Sequence, residues 1–191
     1  MTKTLYLMRH GQTLFNQLHK IQGACDSPLT QQGIDDAKKI GQVFRDKGIV
    51  FDHAYSSTQE RASDTLELIT NQPYQRLKGL KEWNFGVFEG ESERLNPKPD
   101  PKIGSYGDFF VQYGGESVDD VQQRVNQTLT EIMEQPDVNN VLTVSHGGAI
   151  HSFVLKWARN HTIHIPNCSA MKFSFDDETK KFTYLETINV N

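Results

Sequence analysis

The 191-residue sequence lacks the features that mark membrane, secreted and nucleic-acid-binding proteins. No apolar stretch approaches the roughly 20 residues that a membrane-spanning helix needs, and the N-terminus shows no apolar signal region. Two cysteines, Cys25 and Cys168, are too few for a disulfide framework, which predicts free thiols and a cytoplasmic location. The net charge of −4 argues against nucleic acid or an anionic membrane as the main partner.

Internal repeats and low-complexity tracts are also missing. The composition is 36% hydrophobic and 23% charged, which is typical of a globular protein with a proper core. A chain of this length fits a single domain, so we expect one domain over residues 1–191.

The most informative stretch lies near the N-terminus, where a short apolar segment runs into a polar cluster. Thr4 to Met8 is largely apolar and suits a buried strand. Arg9, His10 and Gly11 follow it directly. Because ligands of open α/β sheets bind beyond the carboxyl ends of the strands, this pattern places Arg9 and His10 at a ligand site.

Hydrophobic periodicity and helix-capping residues predict alternating strands and helices along the rest of the chain. The predicted elements are a helix after Thr30 that ends at Gly48, a strand over Val50 to Tyr55, a helix after a Ser57–Glu60 capping box, a helix from Ser117 to Pro136, a strand over Asn140 to Ser145, a helix through Ala149 and Trp157, and strands over Ala170 to Phe175 and Lys181 to Glu186. This alternation predicts an α/β fold, with a mainly parallel central sheet flanked by helices and a C-terminal strand hairpin.

Two later segments supply side chains of the same kinds as the first strand end. The strand that ends at Ser145 runs into His146 and Gly147, and Arg61 falls in the first turns of the helix after the second strand. A guanidinium binds two phosphate oxygens with its planar fork and stays charged, so Arg9 and Arg61 suit a phosphate clamp. Taken alone, Arg61 is better interpreted as an ordinary solvated residue on a helix.

The motifs resemble, in order along the whole chain, those of the histidine phosphatase superfamily, the phosphoglycerate-mutase-like enzymes. The Arg-His-Gly-Gln-Thr run at residues 9–13, followed by Asn16, resembles the family signature. Residues 56–65 resemble its second phosphate-binding motif, with Gln59 where the family usually has Leu, a departure expected to affect packing more than chemistry. Residues 80–90 resemble the stretch that carries the family's acid.

The resemblance implies covalent catalysis at phosphorus, with His10 as the nucleophile that becomes a phosphohistidine. Arg9 and Arg61 would clamp the phosphate, and their charge would keep the His10 imidazole neutral and nucleophilic. His146 would hydrogen-bond the phosphoryl oxygens as charge builds on them. Glu82 would give a proton to the leaving alkoxide and later activate water, because a carboxyl beside a dianion has a raised pKa.

The same resemblance implies a wider set of contacts to a small phosphorylated metabolite. Asn16 would orient the phosphate or His10, and Gly147 would offer a backbone N–H near a helix N-terminus. Gln22 and Gly23 would help to shape the pocket. The implied phosphate or substrate contacts are Arg9, Asn16, Gln22, Gly23, Arg61, His146 and Gly147.

We expect no cofactor and no metal, because the arginines and His146 supply the positive charge that a metal gives elsewhere. His161 and His164 have a spacing seen in metal sites, but they lack nearby acidic or thiol ligands in sequence, which favours a solvated or hydrogen-bonded role. A metallohydrolase would need a carboxylate that bridges the histidines. A phospholigand-binding module without catalysis would be favoured by loss of His10 or Glu82, and both are present.

A phosphoglycerate mutase of the same family is the nearest alternative to a phosphatase. The mutases that the chain resembles are longer and carry basic residues in an inserted segment. Here Gly90 to Gly114 is short, and Arg94, Lys98 and Lys102 have no period that would aim them at a ligand, which favours the phosphatase branch. The substrate and the oligomeric state stay open.

Residues 93–113 combine prolines at their start with four aromatic residues later on. Such a loop could be a lid over the site or a small satellite core, and the sequence favours neither interpretation.

Overall fold

The computed structural model describes residues 2–161 and 164–190, and a six-stranded sheet forms its centre. The strands are β1 (Thr2–Arg9), β2 (His53–Ser57), β3 (Gln75–Leu77), β4 (Asn140–Ser145), β5 (Ala170–Asp176) and β6 (Lys181–Ile188). Their spatial order is β3-β2-β4-β1-β5-β6. The first four in that order are parallel, and β5 and β6 form an antiparallel hairpin beside β1. The predicted fold class is confirmed.

Helices cover both faces of the sheet. The α-helices are α1 (Leu14–Gln17), α2 (Gln31–Asp46), α3 (Glu60–Ile69), α4 (Val118–Met133) and α5 (Gly147–Trp157), and short 3-10 turns occupy Lys78–Leu80, Gly86–Phe88, Glu93–Leu95 and Val111–Tyr113. One hydrophobic core contains the buried faces of α4 and α5, and the other contains those of α2 and α3. Within residues 2–161 and 164–190, no helix has the length and apolar composition to cross a bilayer.

The central strand β1 explains why the first polar cluster lies at a sheet edge. Leu5 and Leu7 belong to the core under α4 and α5, whereas Tyr6 and Met8 belong to the core under α2 and α3. Alternate side chains therefore point into two covered faces, which requires the continuous apolar run seen in the sequence. The strand ends in register with β4, so that Arg9 pairs with Ser145 and the polar residues after both strands meet.

Two boundaries differ from the sequence predictions. The second strand begins at His53, and Val50 is 76% exposed before it. The Ser57–Glu60 capping box is wrong, because Ser57 is the last residue of β2 and α3 begins after Gln59 without a side-chain cap. The caps at Thr30 and Ser117 are confirmed.

The segment over residues 93–113 packs as an extension of the main core. Phe110 is fully buried, and its ring makes edge-on contacts with Trp83, Phe85 and Phe88. Tyr106 joins the same aromatic cluster. The aromatic part of the segment thus belongs to the main core and is not a separate satellite core, and its inner edge forms one wall of the cavity described next.

Candidate active site

A cavity of about 430 Å³ opens at the carboxyl edge of the sheet. Its inner wall holds Arg9 and His10 from the end of β1 and Gly147 from the start of α5. A larger surface groove, of about 750 Å³, is lined by residues of α2 and β6, among them Asp36 and Thr187, and by none of the predicted site residues. The chemistry therefore belongs to the smaller cavity.

His10 presents an unprotonated imidazole nitrogen to the site, and this nitrogen accepts a hydrogen bond from Arg61. Its Nδ1 lies 2.7 Å from the carbonyl oxygen of Gly11, which can only accept, so the ring proton is assigned to Nδ1. The lone pair then lies on Nε2, where the Nε of Arg61 approaches to 3.3 Å. Burial lowers the pKa of His10 well below its usual value, and the charges of Arg61 and Arg9 lower it further. The ring is neutral at pH 7 chiefly because it is buried, and the charges of the two arginines contribute less. From the sequence, those charges were expected to be the cause.

Arg61 is fully buried, so its interpretation as a solvated helix residue is wrong. Its Nη2 donates to the carbonyl of Gly23 at 3.0 Å, and its Nη1 donates to the carbonyl of Cys25 at 2.9 Å. The carboxylate of Asp26 accepts from Nη1 at 3.0 Å. These bonds fix the guanidinium beside His10 before any substrate arrives.

Arg9 lies between β1 and the N-terminus of α5. Its Nη1 donates to the carbonyl of Ile165 at 2.8 Å, while its buried Nε has no partner. A Cβ added to Gly147 would lie 3.4 Å from the guanidinium, so the two residues are in close contact. The free Nε–H and the amide of Gly147 face the same cavity, as an anion site requires.

His146 lies opposite His10, with 5.2 Å between the ring centroids. Its Nε2 is 2.6 Å from the Oγ of Ser57, and that oxygen also accepts the N–H of Gln59. Among the described residues, His146 Nε2 is the acceptor within reach of the Ser57 hydroxyl proton, so that proton is placed on the bond to Nε2, which leaves the ring proton on Nδ1. Burial lowers the pKa of His146 well below its usual value, so the ring is neutral, and the buried Nδ1 has no protein partner. A phosphoryl oxygen is a suitable acceptor for it.

Glu82 is held at the N-terminus of α5. Its Oε1 accepts the N–H groups of Trp83 and Ala149, both at 2.8 Å, and its Oε2 accepts that of Gly148 at 2.9 Å. The carboxylate lines the cavity on the same side as Gly147. Its position is thereby tied to the helix that begins next to His146.

Gln22 presents a donor to the cavity. Its Oε1, an amide oxygen that can only accept, receives hydrogen bonds from the hydroxyls of Thr13 and Ser27. The Nε2 of Gln22 is left buried and without a partner in the cavity wall. Asn16 also lines the cavity, and its Oδ1 accepts the N–H of Thr13 at 3.2 Å.

Gly23 takes part in the site through its neighbours. Its N–H is donated to Glu89 at 2.9 Å, so it is not free for a phosphate, and its carbonyl accepts from Arg61. The residue does not line the cavity. A Cβ at this position would overlap the carbonyl oxygen of Trp83, which explains the glycine. In the structure its carbonyl holds Arg61, and the predicted substrate contact stays a prediction.

Several supporting residues were missed by sequence reasoning. Gln59 is buried and bonds both the carbonyl of Gly23 and the N–H of Glu82, so it adds polar contacts to the packing role expected from sequence. The carboxylate of Glu89 accepts three consecutive N–H groups, from Gly23 to Cys25. Only the motif containing Glu89 gave a signal in sequence. The partners of Gln59 are distant along the chain and leave no local pattern.

Within the ranges 2–161 and 164–190, no group of three or more His, Cys, Asp or Glu side chains is arranged to hold a metal ion. His161 and His164 flank the two residues outside those ranges. Metal independence stays a prediction.

Residues 5–188 match the model of the histidine phosphatase superfamily (branch 1). The chain is 32% identical to a broad-specificity phosphatase of Saccharomyces cerevisiae, over 93% of this chain and 82% of that protein. It is 30% identical to a probable phosphoglycerate mutase of Yersinia pestis, over 91% of this chain and 85% of that protein. A crystal structure of a phosphoserine phosphatase mutant from Entamoeba histolytica, in complex with phosphoserine, superposes with a TM-score of 0.82 at 28% identity, covering 99% of this chain and 98% of the other.

Proposed function

The chain belongs to the histidine phosphatase superfamily, and we propose that it is a metal-independent phosphomonoester hydrolase acting through a phosphohistidine at His10. The observation that carries the proposal is the state of that ring. Its Nδ1 is engaged by the carbonyl of Gly11, and its buried, uncharged Nε2 keeps a lone pair beside two arginines. A neutral imidazole with a fixed lone pair next to positive charge is what attack at phosphorus needs.

In the first step, Nε2 of His10 attacks phosphorus and the bond to the leaving oxygen breaks. The Nε–H of Arg9, the Nδ1–H of His146 and the amide of Gly147 bind the phosphoryl oxygens as charge builds on them; Arg9 and Gly147 line the cavity, and His146 lies opposite His10. Glu82 acts as the acid that gives a proton to the leaving alkoxide. The products are an alcohol and phospho-His10.

In the second step, water attacks phosphorus and the phosphorus–nitrogen bond breaks. Glu82, now a carboxylate, takes the proton from the attacking water. Inorganic phosphate leaves, and His10 returns to its neutral form with the proton on Nδ1. No redox partner or second substrate is needed for this balance.

The relatives include both a phosphatase and a probable phosphoglycerate mutase. The positions of the cations in the 90–114 segment favour hydrolysis in this chain. A mutase must hold a carboxylate-bearing intermediate while the phosphohistidine survives. Arg94, Lys98 and Lys102 are all exposed and none lines the cavity. Water can therefore reach the phosphohistidine without a competing, tightly held acceptor. A phospholigand-binding module without catalysis is disfavoured, because the nucleophile and the acid are both in place.

We also propose where the enzyme is located and how many domains it has. Cys25 and Cys168 are both free thiols, which supports a cytoplasmic location. The two hydrophobic cores share one sheet, which supports a single domain.

The test is to incubate the protein with 3-phosphoglycerate and with p-nitrophenyl phosphate and to measure free phosphate and 2-phosphoglycerate side by side. We expect phosphate release with both esters, little isomerisation, and no change on adding a chelator. Isomerisation much faster than phosphate release would make the protein a mutase. Activity that a chelator removes and a divalent ion restores would contradict the metal-independent mechanism.

A further inference from the structure

One buried hydroxyl connects the two residues that hold the ring of His10. The ring is held at both nitrogens, since the carbonyl oxygen of Gly11 lies 2.7 Å from Nδ1 and the Nε of Arg61 lies 3.3 Å from Nε2. The Oγ1 of Thr65 accepts the N–H of Gly11 at 2.9 Å and donates to the carbonyl of Arg61 at 2.7 Å. Both contacts on the ring are therefore linked through Thr65, although 54 residues separate it from Gly11 along the chain.

The direction of both hydrogen bonds of Thr65 is fixed. A backbone N–H can only donate and a carbonyl oxygen can only accept, so the hydroxyl gives its proton to Arg61 and a lone pair to Gly11. Thr65 lies in the second turn of α3 and is fully buried, so solvent cannot replace either partner. A buried N–H without an acceptor is unfavourable, which anchors the backbone of Gly11 at this hydroxyl.

The peptide group between His10 and Gly11 is also held on its other side, by the turn before β5. The carbonyl of His10 accepts from the Nδ2 of Asn167 at 3.0 Å and from the N–H of Cys168 at 3.3 Å. With Thr65 on its N–H and these two groups on its oxygen, the peptide plane cannot turn freely. The next carbonyl, that of Gly11, is thereby directed at Nδ1 of His10.

The direction of that carbonyl selects between the two tautomers of a neutral imidazole. Only the tautomer with its proton on Nδ1 has a lone pair on Nε2 for attack on phosphorus. The carbonyl of Gly11 stabilises this tautomer, and Arg61, which donates to Nε2, stabilises it as well. A change in the position of either group would allow the ring proton to move to Nε2, where it would block the attack.

We propose that Thr65 is a positioning residue that keeps His10 in its nucleophilic tautomer, with Asn167 in a supporting role. Thr65 acts through Gly11 and Arg61, and its hydroxyl is occupied by both of them. This inference rests on the proposed phosphatase function and adds a residue of α3 to it.

The experiment compares Thr65→Val, which removes the hydroxyl and nearly keeps the shape, with Thr65→Ser, which keeps the hydroxyl. Thr143→Val is the matched control, because Thr143 is also fully buried and its hydroxyl has no hydrogen-bond partner among the described residues. Two quantities are measured near neutral pH. The first is the pair of ring-nitrogen NMR shifts of His10 in histidine-labelled protein, assigned by comparison with His10→Ala. The second is the rate of phosphoprotein formation from p-nitrophenyl phosphate in a single turnover.

We expect the wild type, Thr65→Ser and Thr143→Val to show one tautomer, with the proton on Nδ1. Thr65→Val should show a mixture of tautomers, and its phosphoprotein should form about tenfold to a hundredfold more slowly. Loss of packing alone would not change the tautomer. An unchanged tautomer, or a rate within about twofold of the wild type, in a folded Thr65→Val would overturn the proposal.

Asn167→Ala tests the same peptide group from its other side and decides the question if Thr65→Val does not fold. Asn167 is only half-buried, so we expect a shift towards the same mixture and a smaller fall in rate, about threefold to tenfold. Wild-type shifts in Asn167→Ala would remove Asn167 from the proposal and, where Thr65→Val does not fold, would overturn it. If the wild type forms no phosphoprotein, the phosphatase proposal fails, and the ring shifts still show whether Thr65 holds the tautomer.

Discussion

The two ends of the cavity are built in different ways. At the phosphate end, His10, Arg61 and His146 come from the ends of a strand or the start of a helix, and none is more than 3% exposed. Backbone carbonyls or a neighbouring hydroxyl fix each of them. At the outer end, Asn96 and Ser105 belong to a segment of short turns, and their polar atoms have no partner.

Because of this difference, one set of residues can determine the reaction and another set can determine the substrate. A residue at the end of a central strand cannot move without disturbing hydrogen bonds on both sides of that strand. An irregular segment that packs through its aromatic side chains can change its inner edge at lower cost. We infer that the inner end fixes phosphoryl transfer and that the outer end sets which alcohol is accepted. Four predictions test this separation.

The largest effect is expected for His10→Ala. It removes the nucleophile from the inner end, so kcat/KM should fall by about 10⁴ or more for every ester, hydroxylated or not. Brief reaction of the wild type with labelled substrate should give an acid-labile, base-stable phosphoprotein, and the variant should give none. His19→Ala, which changes a largely exposed histidine, is the control. Near-normal turnover in His10→Ala would rule out the proposed mechanism.

A smaller and selective effect is expected for Glu82→Gln, because Glu82 acts on the leaving group where the two ends meet. Alkyl phosphates need the proton, so their kcat/KM should fall by about 10²–10³, whereas aryl phosphates with good leaving groups should lose far less. The amide also replaces one of the oxygens that accept N–H groups from α5, which affects both classes equally. An equal loss on alkyl and aryl esters would leave Glu82 with a positioning role only.

The inner end should also make stability depend on pH. Burial lowers the pKa of His10 and of His146 in the folded protein, so protonation favours the unfolded chain. Their contribution is fully present above about pH 6.5. It is lost as the pH falls towards the folded pKa, by up to about 1.4 kcal/mol per pH unit for each histidine.

Urea unfolding between pH 7 and pH 5 measures this dependence. His146→Asn should show a shallower loss of stability than the wild type, and His19→Asn should not. Parallel curves for all three proteins would show that the buried histidines do not control acid stability.

The smallest effect is expected when Arg94, Lys98 and Lys102 are changed to Gln together. All three are exposed and outside the cavity, so kcat/KM should change less than twofold for every ester. A selective loss with 3-phosphoglycerate would place these cations over the cavity in the working enzyme. It would break the proposed separation between the ends and favour a mutase.

The sequence predicted the inner end well because local patterns determine it. An apolar run followed by Arg9 and His10 describes a covered strand and its exit, and β4 followed by His146 repeats the pattern. Prediction from the sequence failed where a side chain forms a hydrogen bond with a residue far away along the chain. Ser57 matched a helix cap in sequence, yet its hydroxyl lies against His146, 89 residues away along the chain.

The outer end was less predictable for the same reason. The aromatic residues of the 93–113 segment have no helical or strand period, and their packing against Trp83 depends on tertiary structure. The choice between a lid and a satellite core could therefore not be made from sequence. The use of Gly23 to hold Arg61 likewise depends on residues brought together only by the fold.

The position of β1 also determines when the enzyme can first become active. This strand precedes the other five in chain order, but the strands that hydrogen-bond to its two sides are residues 140–145 and 170–176. During synthesis the N-terminal strand has to wait for most of the chain before it can be paired, and such long-range pairing is slow. A ribosome that stops early releases a chain whose nucleophile has no sheet to hold it. His10 is thus translated long before the strands that hold β1 in place, and the active site can form only after residues 170–176 have been made.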